Sequence, residues 1–203
     1  MIRAMNPTVQ PRQALPDRSP YPCKVELICG CMFSGKTEEL LRRARATDPD
    51  TVVLFKHVRD DRYSSTEIVT HRQDHHRAMA VSTSAAILER MPPEAELVGI
   101  DEGHFFDPAL PGVCQELARR GCTVVVTALD LDSWGRPFAV IARLCEQADA
   151  VLIKRTPCAR CGRPADHTQR TTPITGGNLV GGPEAFEPRC LSCWAPPPED
   201  PIE

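Results

Sequence analysis

The sequence predicts an α/β fold, a parallel-sheet core flanked by helices and followed by a small C-terminal zinc-binding module. Three observations carry that reading. Strand-like apolar runs alternate with helix-like segments from Tyr21 to Lys154, the rhythm of a parallel sheet. The first strand-to-helix junction holds Gly30-Cys31-Met32-Phe33-Ser34-Gly35-Lys36-Thr37, which spells the phosphate-cradling pattern G-x-x-x-x-G-K-[ST]. Beyond Lys154 the composition turns to cysteine, glycine, proline and polar residues.

The elements follow in order. Residues 1–20 hold Pro7, Pro11, Pro16 and Pro20 with little apolar periodicity and read as a disordered leader. Val25 to Cys29 reads as a buried strand and Glu38 to Arg45 as a helix. Thr51 to Phe55 predicts a second buried strand. Ser82-Thr83-Ser84 forms a cap ahead of a helix from Ala85 to Met91, which Pro92-Pro93 ends before the strand Leu97 to Ile100. A helix from Leu110 to Arg120 stops at Gly121, and Thr123 to Ala128 is the most strand-like run in the chain. Phe138 to Gln147 predicts a helix and Val151 to Ile153 the last core strand. The resulting division is a nucleotide-binding core over 21–154, a zinc module over 155–194 and a proline-rich disordered tail over 195–203.

Bulk properties exclude several classes. A chain of 203 residues has room for one domain and a small appendage. A net charge of -3 and a pI near 6.1 lack the basic footprint of nucleic-acid binding, so a small-molecule ligand fits better. No stretch has the length of a membrane span and no secretion signal opens the chain, so a cytoplasmic location is expected. Ten cysteines accompany a nucleotide loop and a large apolar core, which favours reduced thiols and a metal site over a disulfide scaffold.

Each motif points to a chemistry. In the phosphate loop, glycines let backbone N–H groups turn inward toward phosphate oxygens, Lys36 reaches the β/γ-phosphates and the Thr37 hydroxyl ligates Mg²⁺. The following helix aims the positive end of its dipole at the same phosphates. Asp101-Glu102 directly follows a strand, where a parallel sheet presents residues to the loop. Asp101 would hold Mg²⁺, leaving Glu102 to accept a proton. Cys158-x-x-Cys161 and Cys190-x-x-Cys193 are paired knuckles that fill all four corners of a structural Zn²⁺ tetrahedron. The glycine-rich stretch between them is long enough to fold over a neighbour. Cys23, Cys29, Cys31, Cys114, Cys122 and Cys145 read as small core residues. Arg42, Arg43 and Arg45 read as a solvated face, and His71, His75 and His76 as loop residues.

These residues together resemble the type II thymidine kinases, whose loop reads G-P-M-F-S-G-K-[ST]. The likeness continues through Asp61-Arg62-Tyr63-Ser64-Ser65, Thr70-His71, Asp101-Glu102-Gly103-His104-Phe105-Phe106, Leu129-Asp130, Pro137-Phe138, Thr168-Gln169-Arg170 and Glu187-Pro188-Arg189-Cys190. It runs from about Cys23 to Trp194. The resemblance implies a P-loop NTPase-like core and a zinc-stapled lasso over the nucleoside. It implies transfer of the ATP γ-phosphate to the 5′-hydroxyl of thymidine or another deoxynucleoside, in a homotetramer with end-product feedback. By the same resemblance Glu102 is the base and Lys36 neutralises charge. Gly30 to Thr37 with Asp101, Glu102, Gly103 and His104 bind ATP and its Mg²⁺. Met32, Phe105, Thr168 and the lasso backbone surround the base, and Asp61 and Arg62, in a family motif D-x-R-Y-S-S that Asp60 can equally open, line the phosphate side.

Three positions depart from the family pattern. His104 stands where glutamine is usual. Ser133 replaces a phenylalanine that helps enclose the base, with Trp134 a candidate substitute next door. Phe186 replaces a lasso tyrosine and loses its hydroxyl. Two alternatives remain beside the thymidine reading: a kinase for another or modified nucleoside, and a nucleotide-binding relative without turnover. A zinc-ribbon protein acting on nucleic acid is a third class, opposed by the absent basic surplus.

Overall fold

The computed structural model describes residues 24–59, 67–69, 75–172 and 183–198. The leader, Cys23, Asp61 and Arg62, Thr70-His71, the glycine-rich reach of the lasso over 173–182 and the last tail residues lie outside the described residues.

The chain begins with strand β1 (Val25–Cys29), the phosphate loop and helix α1 (Lys36–Arg45). Strand β2 (Val52–His57) is followed by a short antiparallel pair, β3 (Glu67–Val69) with β4 (His75–Arg77), and by β5 (Met79–Val81). His75 and His76 therefore sit in a strand rather than a loop; the polar character of the segment hid its short pairing. Then come α2 (Ala85–Glu89), β6 (Leu97–Asp101), α3 (Leu110–Arg119), β7 (Thr123–Ala128), α4 (Ala139–Gln147) and β8 (Ala150–Ile153). Six strands form one sheet in the order β5-β2-β6-β7-β1-β8, and each neighbouring pair is parallel.

Side chains alternate across a strand, so an apolar run buried on both faces feeds two cores. Leu27, Val98, Ile100, Val124 and Val126 pack with Leu110, Leu117, Ile141 and Leu144 of α3 and α4 on one face. Ile28, Leu54 and Val125 meet Leu40, Leu41 and Ala44 of α1 on the other. Helix α1 presses close to the sheet: a methyl group on Gly99 would stand 2.5 Å from Leu54 Cδ2 and 2.8 Å from Leu40 Cδ1.

One expectation about the sheet needs correction. Strand β8 is an exposed edge rather than a core strand, with Val151, Leu152 and Ile153 at 39%, 40% and 52% exposure, because β1 covers it on one side only. An apolar run cannot reveal which strand the topology leaves outermost. Strand β5, with only three residues, adds an edge beyond β2 that periodicity did not announce.

The cap before α2 also works differently. Thr83 Oγ1 accepts the Ala86 N–H at 3.3 Å, while Ser84 turns to Asp107, donating its hydroxyl at 2.6 Å and its N–H at 2.8 Å. That contact ties α2 to the segment entering α3.

After β8 the chain forms β9 (Thr156–Pro157) paired with β10 (Pro164–Ala165), then β11 (His167–Arg170) paired with β12 (Phe186–Arg189). Both pairs are antiparallel. Residues Ala195 to Pro198 carry no regular structure. Among the described residues no helix is long and apolar enough to cross a membrane.

Burial pushes the Asp107 carboxyl up, but its hydrogen bonds from Ser84 and Ala109 outweigh burial and hold it below the ordinary Asp range. A depressed folded value stabilises fully above the unfolded value and fades as pH falls through the folded one. Asp107→Asn should therefore cost about 1–2 kcal/mol near pH 7. In urea unfolding, its deficit against wild type should narrow as pH drops below about 4.

Candidate active site and metal centre

The parallel sheet delivers its functional groups to one edge. Strands β1, β6, β7 and β8 run in the same direction, so Gly30, Asp101, Leu129 and Lys154 all emerge at the carboxyl ends of their strands, where open α/β sheets bind ligands.

The phosphate loop departs from β1 under tight backbone constraint. Gly30 adopts φ 140°, and a Cβ there would lie 2.2 Å from the Lys154 carbonyl oxygen. Gly35 sits at φ 77° and Phe33 at φ 64°. Glycine takes such angles without penalty, whereas at Phe33 the left-handed conformation costs roughly 1–2 kcal/mol. The Cys31 carbonyl closes the turn, accepting the Ser34 hydroxyl at 2.8 Å and Lys36 Nζ at 2.7 Å. Lys36 is buried at 7% exposure, so its ammonium is held inside the loop it serves.

The acid pair divides by geometry. Asp101, the last residue of β6, is buried at 4% exposure. Its carboxylate accepts the Thr37 hydroxyl at 3.2 Å and also the hydroxyl of Thr127 on β7. Glu102 turns out of the strand at φ 52° and ψ 46°. Such strain in a non-glycine residue persists where surrounding structure enforces it and is concentrated at functional sites. Among the described residues, the non-glycine positive φ angles are those of Phe33 and Glu102, and both border this site. A small cleft lined by Met32, Phe33, Gly35, Lys36, Thr37, Glu38, Glu102 and Leu129 brings the second carboxylate onto the phosphate loop. A larger open cleft of about 450 Å³ lies on the loop's other flank, against Glu38, Glu39, Arg42 and Lys154.

His104 is buried behind the pair. Its Nδ1 accepts the Leu129 N–H at 3.2 Å and lies 3.4 Å from Glu102 Oε2. Its ring is wedged between Phe105 and Phe138, at centroid distances of 4.3 and 4.8 Å.

The oxygen donors of Thr37 and Asp101 suit a hard divalent cation such as Mg²⁺, which prefers hydroxyl, carboxylate and water ligands. The thiols of Cys158, Cys161, Cys190 and Cys193 lie within 4.8 Å of one another, a clustering compatible with tetrahedral zinc. Arg163 Nε donates to Cys161 Sγ at 3.5 Å and lowers the pKa of that thiol, favouring the thiolate a metal needs, while that of Cys193, beside Cys161 in the same cluster, is raised. The remaining described cysteines behave as core residues: burial pushes Cys29 and Cys114 up to about 12. Cys31 lies against Cys158, Ala165 and Cys190.

Other expected pocket residues occupy these places. The Thr168 hydroxyl accepts the Met32 N–H at 3.1 Å, and Phe105 faces His104 and His57. Trp134 lies beneath the Arg136 guanidinium at 5.7 Å and Phe186 beneath Arg170 at 5.3 Å. Among the described contacts, neither ring meets the phosphate loop. Three participants were missed in the sequence. Thr127 is a hydroxyl in an otherwise apolar strand, which was a usable signal. Lys56, 1% exposed at the end of β2 and registered opposite Asp101, is a lysine in a buried run. Trp194 carried no such signal: its Nε1–H donates to the Ser133 carbonyl at 3.3 Å and its ring rests on His167 at 4.7 Å, joining the second knuckle to the loop after β7.

Comparison with known proteins adds an independent line. A family model described as thymidine kinase matches residues 23–194. A curated protein named thymidine kinase, from Rhodothermus sp. (strain ITI 518), is 42% identical over 175 residues, covering 85% of this chain and 82% of that protein. Among solved structures, a closed-state cryo-EM reconstruction of Hsp104 with ATPγS and FITC casein covers 68% of this chain at 12% identity and a TM-score of 0.38. This chain spans 30% of that protein's chain, and at that score the likeness carries no argument.

Two outcomes check the geometry. Gly30→Ala should cost about 3 kcal/mol, because the clash is with backbone rather than a yielding side chain; chemical denaturation measures it. Metal analysis under reducing conditions should find about one zinc per chain, and Cys190→Ser should lose it.

Proposed function

The chain belongs to the thymidine kinase family, and we propose on that premise that it transfers the γ-phosphate of ATP to the 5′-hydroxyl of thymidine. The observation that carries the reaction class is the cleft that joins Glu102 to Lys36 and Thr37 of the phosphate loop. Phosphoryl transfer asks a protein for position and charge rather than covalent chemistry, and these residues supply both.

In this reading the loop's backbone N–H groups and the N-terminus of α1 hold the triphosphate. Lys36 leaves the Cys31 carbonyl for the β/γ-phosphate oxygens and neutralises charge as it spreads onto the transferring group. Thr37 and Asp101 would hold Mg²⁺, which when bound offsets phosphate charge. Thr127 fixes the Asp101 carboxylate through its hydroxyl. Glu102, set apart by its backbone turn, accepts the proton of the 5′-hydroxyl as that oxygen attacks phosphorus. His104 borders Glu102, with its Nδ1 3.4 Å from Oε2. Met32, Phe105 and Thr168 line the base, with Trp134 and Phe186 as further contacts and Asp61 and Arg62 on the phosphate side.

The remaining elements of the reading rest on the family. The four-cysteine centre holds structural zinc in a module over 155–194, distinct from the core over 21–154. The assembly is a homotetramer in the cytoplasm, and the apolar edge strand β8 supports association between chains. End-product feedback acts on the same nucleoside pocket.

Glu102→Gln tests the base. Removing a general base costs about 10²–10⁴-fold in rate, so kcat for thymidine should fall at least about 100-fold while ADP affinity, read by calorimetry, stays within about threefold. Full activity in this variant would remove Glu102 from the role.

A further inference from the structure

The four-cysteine module touches the phosphate loop directly. The Thr168 hydroxyl, from β11, accepts the N–H of Met32 at 3.1 Å in a buried contact. Thr168 is 3% exposed and Met32 is 7% exposed. One residue earlier, Cys31 packs against Cys158 and Cys190, with its Sγ directed at the Ala165 carbonyl at 3.7 Å. The loop meets the module through two consecutive residues, and both lie ahead of the strained turn at Phe33 and Gly35.

The position of Thr168 is in turn set by the four-cysteine centre. It pairs in register with Pro188 on β12, which runs straight into Cys190. The Pro188 carbonyl also accepts the Ala159 N–H of the first knuckle at 2.9 Å. Both knuckles therefore converge on the strand that places this hydroxyl. The Met32 N–H engaged by Thr168 belongs to the Cys31–Met32 peptide, whose carbonyl accepts the Ser34 hydroxyl and Lys36 Nζ ahead of Phe33. A backbone held at φ 64° keeps that angle only where its surroundings enforce it.

We propose that Thr168 is a positioning residue for nucleotide binding, through which the zinc centre holds the phosphate loop in its anion-accepting shape. The proposal rests on the phosphate-loop part of the functional reading. It makes the coupling reciprocal: nucleotide that stiffens the loop also retains the metal.

Thr168→Val keeps the shape and deletes the acceptor, whereas Thr168→Ser keeps the acceptor. With the full-length chain and no nucleoside present, calorimetry with Mg²⁺ and ADP should give a Kd about 3- to 10-fold weaker for Thr168→Val, the worth of one hydrogen bond. Thr168→Ser should bind like wild type, and metal analysis should show zinc retained in both. In steady-state kinetics the KM for ATP should rise in Thr168→Val and stay near the wild-type value in Thr168→Ser. Zinc removal by a chromophoric chelator should be slowed by ADP in wild type and slowed less in Thr168→Val. Equal ADP affinity in wild type and the zinc-loaded Thr168→Val protein would overturn the coupling while leaving the kinase reading intact. Equal impairment of both variants would likewise overturn it. Failure of wild type to bind ADP would overturn the nucleotide reading itself.

Discussion

The pairing of β1 between β7 and β8 is the constraint on which the site depends. It makes the chain leave the sheet at Gly30 with the Lys154 carbonyl beside it, so only a residue without Cβ can turn there. Because all neighbours run parallel, Asp101 and Leu129 emerge at the same edge. The loop's hydrogen bonds then close on one another, with Cys31 accepting both Ser34 and Lys36. Catalytic geometry here is a by-product of strand order.

Charge is arranged with similar economy. Asp101 is buried but accepts hydroxyls from Thr37 and Thr127, which satisfies a carboxylate that would otherwise be costly to remove from water. Glu102 is spared that role by a left-handed backbone step. Two adjacent acids thus face different surroundings, one fixed against the loop's threonine and one beside His104 at the cleft. Strand pairing sets the first, and a strained residue sets the second.

The C-terminal module is tied to the core in two places. Thr168 and Cys31 connect it to the phosphate loop, and Trp194 connects it to the loop after β7 through Ser133 and Gly135. A methyl group on Gly135, which sits at φ 75°, would meet the Trp194 ring at 3.0 Å, so a side chain there would press the ring to shift. Ser133 lies at this contact: the position is 9% exposed, and its backbone carbonyl, which any residue would supply, accepts the Trp194 N–H.

Local chemistry by itself determined a good deal. Gly30 to Thr37, the acid pair and the doubled cysteine knuckles were legible because each depends on residue type at fixed spacing. The strands and helices of the core were legible because burial imposes periodicities of 2 and 3.6. Tertiary structure decided the rest. Whether Val151 to Ile153 lies inside or at an edge depends on strand order, which no local pattern encodes. That Ser84 would turn to Asp107, that Thr127 would support Asp101, and that Thr168 would reach Met32 are contacts between residues 23, 26 and 136 positions apart. Such contacts exist only once the sheet has brought its strand ends together, so the sequence named the chemical groups and the fold chose their partners.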